Sequence, residues 1–359
     1  MHILLTLPLL FPALPQDPPP AAAPETPHAA LVVGQPTPKL RLEPWIVEPK
    51  KPENVGVSSR SGVKGEPLGE FAQRWSNHHE AWIVFRAPLA QNLPLLAQLG
   101  DACSDRALGL VAWTDADGEA AAKEGLGLFG GGAYLGIPHE NSPLGADTPE
   151  LLVVGPSGEL VWTGTAAQEK DFLAAVGEAL ARPKAQRFDA PFAPELAGVL
   201  TDYWKGSWAK ARAAADKLAR KGGNEALVAD AQRLVAAVDE LERELSVAAQ
   251  QAIPTGQLAE AVEIETLLDD GLPGATRKHV GELLKDVAGK SLQGGAVEDA
   301  RKWLEIAAKR PLFFPARSEP AGERFAKELE QFAKRSSNQA APQQRALALL
   351  ERWKQRKAR

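Results

Sequence analysis

Leu151-Leu152-Val153-Val154-Gly155-Pro156-Ser157-Gly158-Glu159-Leu160-Val161-Trp162-Thr163 is a pair of short apolar runs separated by a Gly/Pro turn, the chemistry of an antiparallel hairpin. Working upstream, Leu108-Gly109-Leu110-Val111-Ala112-Trp113 and Ala81-Trp82-Ile83-Val84-Phe85 are two further runs of the same kind, short, β-branched or aromatic, and bounded by turn residues. Between them Leu89, Leu93, Leu96 and Leu99 recur at helical spacing, which makes a strand-helix-strand crossover and hence a parallel pair. A helix is expected after the hairpin, from about Ala167 to Ala181. The order strand, helix, strand, helix, hairpin, helix reads as an α/β domain, a mixed central sheet flanked by helices.

Outward from this domain the composition changes twice. Residues 1–15 form an apolar stretch too short to cross a bilayer, the shape of a signal peptide, and residues 16–28 are a Pro/Ala-rich linker. The α/β domain then covers 29–182, and a Pro-containing stretch, 183–194, marks its boundary. From 195 to 359 the pattern is all-helical. Its clearest stripe is Leu227, Ala231, Leu234, Val238, Leu241 and Leu245. Gly206-Ser207-Trp208-Ala209-Lys210-Ala211, Gly256-Gln257-Leu258-Ala259-Glu260-Ala261 and Gly295-Ala296-Val297-Glu298-Asp299-Ala300 share Gly, an apolar residue two positions on, and Ala at the sixth position. This is a loose tetratricopeptide-like repeat of helical hairpins, with unrelated helix pairs as the alternative.

At 359 residues, 44% apolar and 24% charged, the chain has enough apolar surface for two packed domains. A net charge of -5 provides no broad basic surface, so nucleic acid is not an expected partner. The tail bearing Arg352, Lys354, Arg356, Lys357 and Arg359 reads as a solvated helix end. No run approaches the roughly 20 apolar residues of a membrane-spanning helix. The single cysteine, Cys103, excludes both an internal disulfide and a Cys-x-x-Cys pair, and its ordinary reading is a small buried core residue.

Gly34-Gln35-Pro36-Thr37-Pro38-Lys39-Leu40 and the run Asp147-Thr148-Pro149-Glu150 leading into the hairpin resemble the thioredoxin superfamily, in particular the exported TlpA-type thiol-disulfide oxidoreductases and their peroxiredoxin-like relatives. The resemblance covers about residues 31–182. It implies a thioredoxin-like fold with a cis peptide bond before Pro149, in the loop facing the family's redox site. The family's Trp-Cys-x-x-Cys segment is absent. In its place the first strand runs into Arg86-Ala87-Pro88-Leu89-Ala90-Gln91, a degenerate active-site segment that can form no mixed disulfide. Cys103 is the minor catalytic candidate. It lies past the end of the expected helix, beside Asp101 and Asp105, where a thiolate is disfavoured.

Other motifs carry less. Gly125-Leu126-Gly127-Leu128-Phe129-Gly130 has dinucleotide spacing but follows a helical stretch instead of a strand. His78-His79-Glu80 and His139-Glu140 are adjacent ligand types that do not converge on one metal ion, and no cofactor motif is present. Most of the nine tryptophans are expected in the core or in packing between the domains. Arg86 offers an anion or carboxylate contact, with a surface arginine as the ordinary alternative. The expected function is a redox-inactive, exported module that binds a protein or peptide. The competing reading is a thiol-disulfide or peroxide oxidoreductase working through Cys103 or a partner's thiols, and a third is a structural part of an envelope assembly.

Overall fold

A computed structural model describes residues 31–38, 40, 42–47, 81–86, 93–103, 108–115, 117–119, 122, 133–138, 142–145, 147–222, 224–289, 294–315, 319–335 and 341–357. The leader and linker expected over 1–28, the Ala87–Gln91 segment, the histidine pairs and the Gly125–Gly130 motif lie outside these residues.

Among the described residues six strands, β1 (Leu42–Val47), β2 (Ala81–Arg86), β3 (Leu108–Trp113), β4 (Ala133–Pro138), β5 (Leu151–Val154) and β6 (Leu160–Gly164), form one sheet in the order β1-β4-β3-β2-β5-β6. β2, β3 and β4 are parallel neighbours, while β1, β5 and β6 pair antiparallel. The crossover from β2 to β3 passes through α1 (Leu93–Ala102), and α2 (Glu169–Ala181) follows β6. The sheet is therefore mixed and flanked by helices, as the runs and their spacing require. β1 and β4, which extend one edge, were not among the expected strands.

Alternation along the strands sorts their side chains between two faces. Ala81, Ile83 and Phe85 share one core with Leu96 and Leu99 of α1 and Phe172 and Val176 of α2. Trp82, Val84, Val111 and Trp113 face the other way, packed with Leu40, Leu42 and Leu144. At the hairpin turn Gly155 leaves room for a side chain across it: a Cβ there would meet the Glu159 carboxylate at 1.9 Å. Glu159 is fully buried and its Oε1 lies 3.0 Å from Arg182 Nη1.

Eight helices follow among the described residues: α3 (Ala197–Trp204), α4 (Trp208–Lys221), α5 (Glu225–Ala252), α6 (Leu258–Gly271), α7 (Ala275–Ala288), α8 (Gly294–Ala307), α9 (Pro320–Arg335) and α10 (Ala341–Lys357). The first two copies of the repeat have the same geometry. Gly206 and Gly256 take φ of 82° and 77°, values glycine reaches without Cβ strain. Around them Ser207 N–H donates to Asp202 O and Gln257 N–H to Ala252 O, both at 2.9 Å. Each turn starts a 14-residue helix, α4 or α6. The third copy differs, since Gly295 lies inside α8. It keeps only the packing pair: Val297 and Ala300 are buried like Trp208 and Ala211, or Leu258 and Ala261. α4, α6 and α8 contact one another in sequence, and α5 contacts α7, so successive hairpins stack.

The boundary stretch 183–194 is a pinned strap. Phe188 and Phe192 are buried in the helical core, and Arg233 lies 3.9 Å over the Phe192 ring while donating to the carbonyls of Ala190 and Pro191. Ala193 N–H donates to Asp230 Oδ2 at 2.7 Å. Two rings edge-on at 4.7 Å and a half-buried guanidinium stacked on one of them are enough to order a segment whose prolines suggest a spacer.

Candidate functional site

β2 sits where the sheet changes direction. The chain leaves it towards β3 and β4 on one side and returns on the other as β5. In open α/β sheets, ligands bind beyond the carboxyl ends of strands at such a point. Arg86 is the last residue of β2, in register with Trp113 at the end of β3, and its backbone N–H donates to Glu150 O at 2.9 Å. Its guanidinium carbon lies 5.3 Å from the centre of the Trp113 ring. Nη2 reaches Asp115 Oδ2 at 3.5 Å, with the two side chains 38% and 60% exposed. An ion pair that long and that wet is weak, so the guanidinium keeps its capacity for another acceptor. Asp115 is held by Gly118 N–H, which donates to Oδ1 at 2.8 Å.

The neighbouring loop is shaped by Thr148. Its Oγ1 accepts from Gly145 N–H at 2.7 Å and donates to Pro143 O at 3.0 Å, and its own N–H donates to Gly145 O at 3.0 Å. The cis bond expected before Pro149 is not found: the cis peptide among the described residues is Phe314–Pro315. A hydrogen-bonded Gly145–Thr148 turn reverses the chain here, and the cheaper trans isomer serves. The structure therefore brings Arg86, Thr148 and Pro149 to one end of the sheet.

Cys103 is at the other end. α1 carries the chain from the Arg86 end towards the start of β3, and Cys103 follows its last residue. The thiol is fully buried, and Sγ donates to Leu312 O at 3.6 Å. Beside it Arg310 donates to Ala102 O at 2.8 Å and to Phe314 O at 2.9 Å, the orphan carbonyls of a helix C-terminus being natural acceptors for a cation.

The helical part is fastened at this far end too. β5 pairs with β2 so that Val154 lies opposite Trp82 and Leu151 opposite Phe85, which puts the 155–159 turn beside the start of β2. There Trp204 Nε1–H donates to Gly34 O at 3.0 Å, Phe192 N–H to Gln35 Oε1 at 3.0 Å and Ala185 N–H to Ser157 Oγ at 2.7 Å. Glu159 and Arg182 lie under this junction. Burial pushes the Glu159 carboxyl above the usual range even against the pull of Arg182 and of the Ser157 N–H at 3.1 Å. This pair and the strap were missed in the sequence, although a charged residue at position 159, flanked by apolar strands, was a visible signal.

A cleft of about 470 Å³ lies between α4, α5 and the α6–α7 turn, lined in part by Arg212, Asp216, Arg220 and Glu242. Its charges are answered locally: Arg212 bonds Asp239 and Arg220 bonds Asp216, both at 2.7 Å, and Thr276 Oγ1–H donates to Glu242 Oε1 at 2.8 Å. Among the described residues no three His, Cys, Asp or Glu side chains are grouped to hold a metal ion, and no helix is long and apolar enough to cross a membrane. Comparison with protein-family models, with curated proteins and with solved structures finds no match to this chain.

Proposed function

We propose that this chain is a thioredoxin-like module without redox chemistry, exported and joined to a tetratricopeptide-like helical array, and that it binds a protein or peptide partner at the Arg86–Thr148 end of its sheet. The carrying observation is the separation of sulfur from that end. The one thiol of the chain is buried beside Leu312 at the opposite end, so no thiol is available where β2 meets the Thr148 loop. The fold reading is supported by the order β3-β2-β5-β6, with β2 and β3 parallel and β5 and β6 a hairpin, and by α1 and α2 sharing one face. The trans bond before Pro149 departs from the family pattern, and the reading rests on strand order instead. Attachment of the helices beside Gly34 and Ser157 leaves recognition to the Arg86 end.

The test is a photo-crosslinking residue placed at Thr148, with a second at exposed Lys217 as control, in the native host. One discrete protein adduct from position 148 that disappears in Arg86→Glu supports the proposal. Equal adducts from both positions, or adducts indifferent to Arg86→Glu, overturn it.

A further inference from the structure

Charge is divided unevenly along this chain. Residues 294–359 carry 15 Lys and Arg against 8 Asp and Glu, a formal +7, while the whole chain stands at -5, which leaves -12 on residues 1–293. The fold gathers part of that positive charge on one surface. α9 and α10 pack against each other through Leu329, Phe332, Leu350 and Trp353. Away from this seam Arg324, Lys327, Gln331 and Lys334 are exposed on α9. Their spacing makes one stripe about 15 Å long, at about 1.5 Å per residue. The last turn of α10 adds exposed Lys354, Arg356 and Lys357, and the two runs meet where Lys357 Nζ lies 3.2 Å from Glu323 Oε1.

Cations in the last turn of α10 complement its dipole, which is reason enough for them. The same reason covers Lys334, in the last turn of α9, but not Arg324 or Lys327, which lie further from its C-terminus. Glu323 and Glu328 flank them and are met by Lys357 and Lys309. Among the described residues Arg324, Lys327, Lys334 and Lys354 enter no ion pair. The cations are spread out, so they make no convergent clamp for a single carboxylate or phosphate. Phe325, Phe332 and Trp353 beside them are all buried, which leaves none of these rings free to stack a nucleic-acid base. A sheet of acidic headgroups requires only dispersed positive charge.

We infer that the α9–α10 face docks peripherally on an anionic phospholipid surface, with the negatively charged remainder of the chain turned away. This does not depend on the reading of the Arg86 end. The test is co-sedimentation of the full chain with vesicles of phosphatidylcholine alone or with roughly one third phosphatidylglycerol, at about 0.15 M salt. Binding is expected to the anionic vesicles only. Each cation near the surface contributes about fivefold in affinity, so K327E/K334E/K354E should weaken binding on the order of a hundredfold or more. A control triple with the same change in net charge, K170E/K217E/K221E, should bind nearly as the parent does, and circular dichroism should match for all three proteins. Absence of binding, equal binding to neutral vesicles, an equal loss in the control triple, or tighter binding to a DNA oligonucleotide than to the vesicles overturns the inference.

Discussion

Replacing Arg182 by Met removes the counter-charge from a carboxylate that has nowhere to go. Glu159 is fully buried and Arg182 is only 10% exposed. Breaking a buried pair from one side costs about 3–5 kcal/mol, unless the abandoned carboxyl takes up a proton. That escape gives the loss a pH signature. The unfolded carboxyl titrates near 4.5 and the folded one above it, so between those two values the native state holds the extra proton and stability falls as pH rises. The limiting slope is about 1.4 kcal/mol per pH unit. Without Arg182 the folded value climbs further, the window reaches towards neutrality, and the deficit relative to the parent grows from acid to neutral pH. Arg182→Met combined with Glu159→Gln removes the buried titrating group, so the part of the slope that comes from Glu159 should vanish and part of the stability should return. What is left is the smaller loss of the more exposed Arg182–Glu178 pair at 2.9 Å, which holds the Glu178 carboxyl below its usual range. Urea titrations followed by tryptophan fluorescence at several pH values, with Trp204 reporting the junction, measure all three proteins. A loss below about 1 kcal/mol in Arg182→Met, the same at every pH, would place the pair in water and refute the reasoning.

Four further outcomes follow from the same structure. Phe192→Ala should cost about 3–5 kcal/mol, because it empties a ring site between Phe188 and Arg233; calorimetry measures this. Gly256→Ala should destabilise by about 1 kcal/mol or more, since it forces a Cβ onto φ of 77°. Gly295→Ala should be neutral or stabilising by up to about 1 kcal/mol, because that glycine is exposed within a helix with nothing within 4 Å of the added carbon; chemical denaturation separates the two. Cys103 should resist iodoacetamide in native protein and react fully in denaturant, as intact mass will record, because its sulfur is buried against Leu312.

The central strands and their helices were legible because each has a local cause. Apolar runs of strand length between turn residues specify β2, β3, β5 and β6, and leucines at helical spacing specify α1. β1 and β4 were not legible, for their pairing is with each other and with β3 across long separations, and nothing local demands it. The turns at Gly206 and Gly256 were readable as a repeat, whereas Gly295 matched the same pattern by composition while lying inside a helix. Within the candidate site Arg86 and Thr148 could be named from sequence, but their geometry could not. The expected cis bond came from resemblance alone, and the Gly145–Thr148 hydrogen bonds supply the turn without it. The strap at 183–194 was hidden for a similar reason, since its order comes from Arg233 and Asp230, some forty positions away.

The central claim is that recognition has replaced electron exchange at the end of β2. The most direct measurement is the rate at which purified protein catalyses reduction of insulin by a dithiol. The account predicts the uncatalysed rate for the parent and for Cys103→Ser alike. Turnover in the parent that Cys103→Ser abolishes would contradict it.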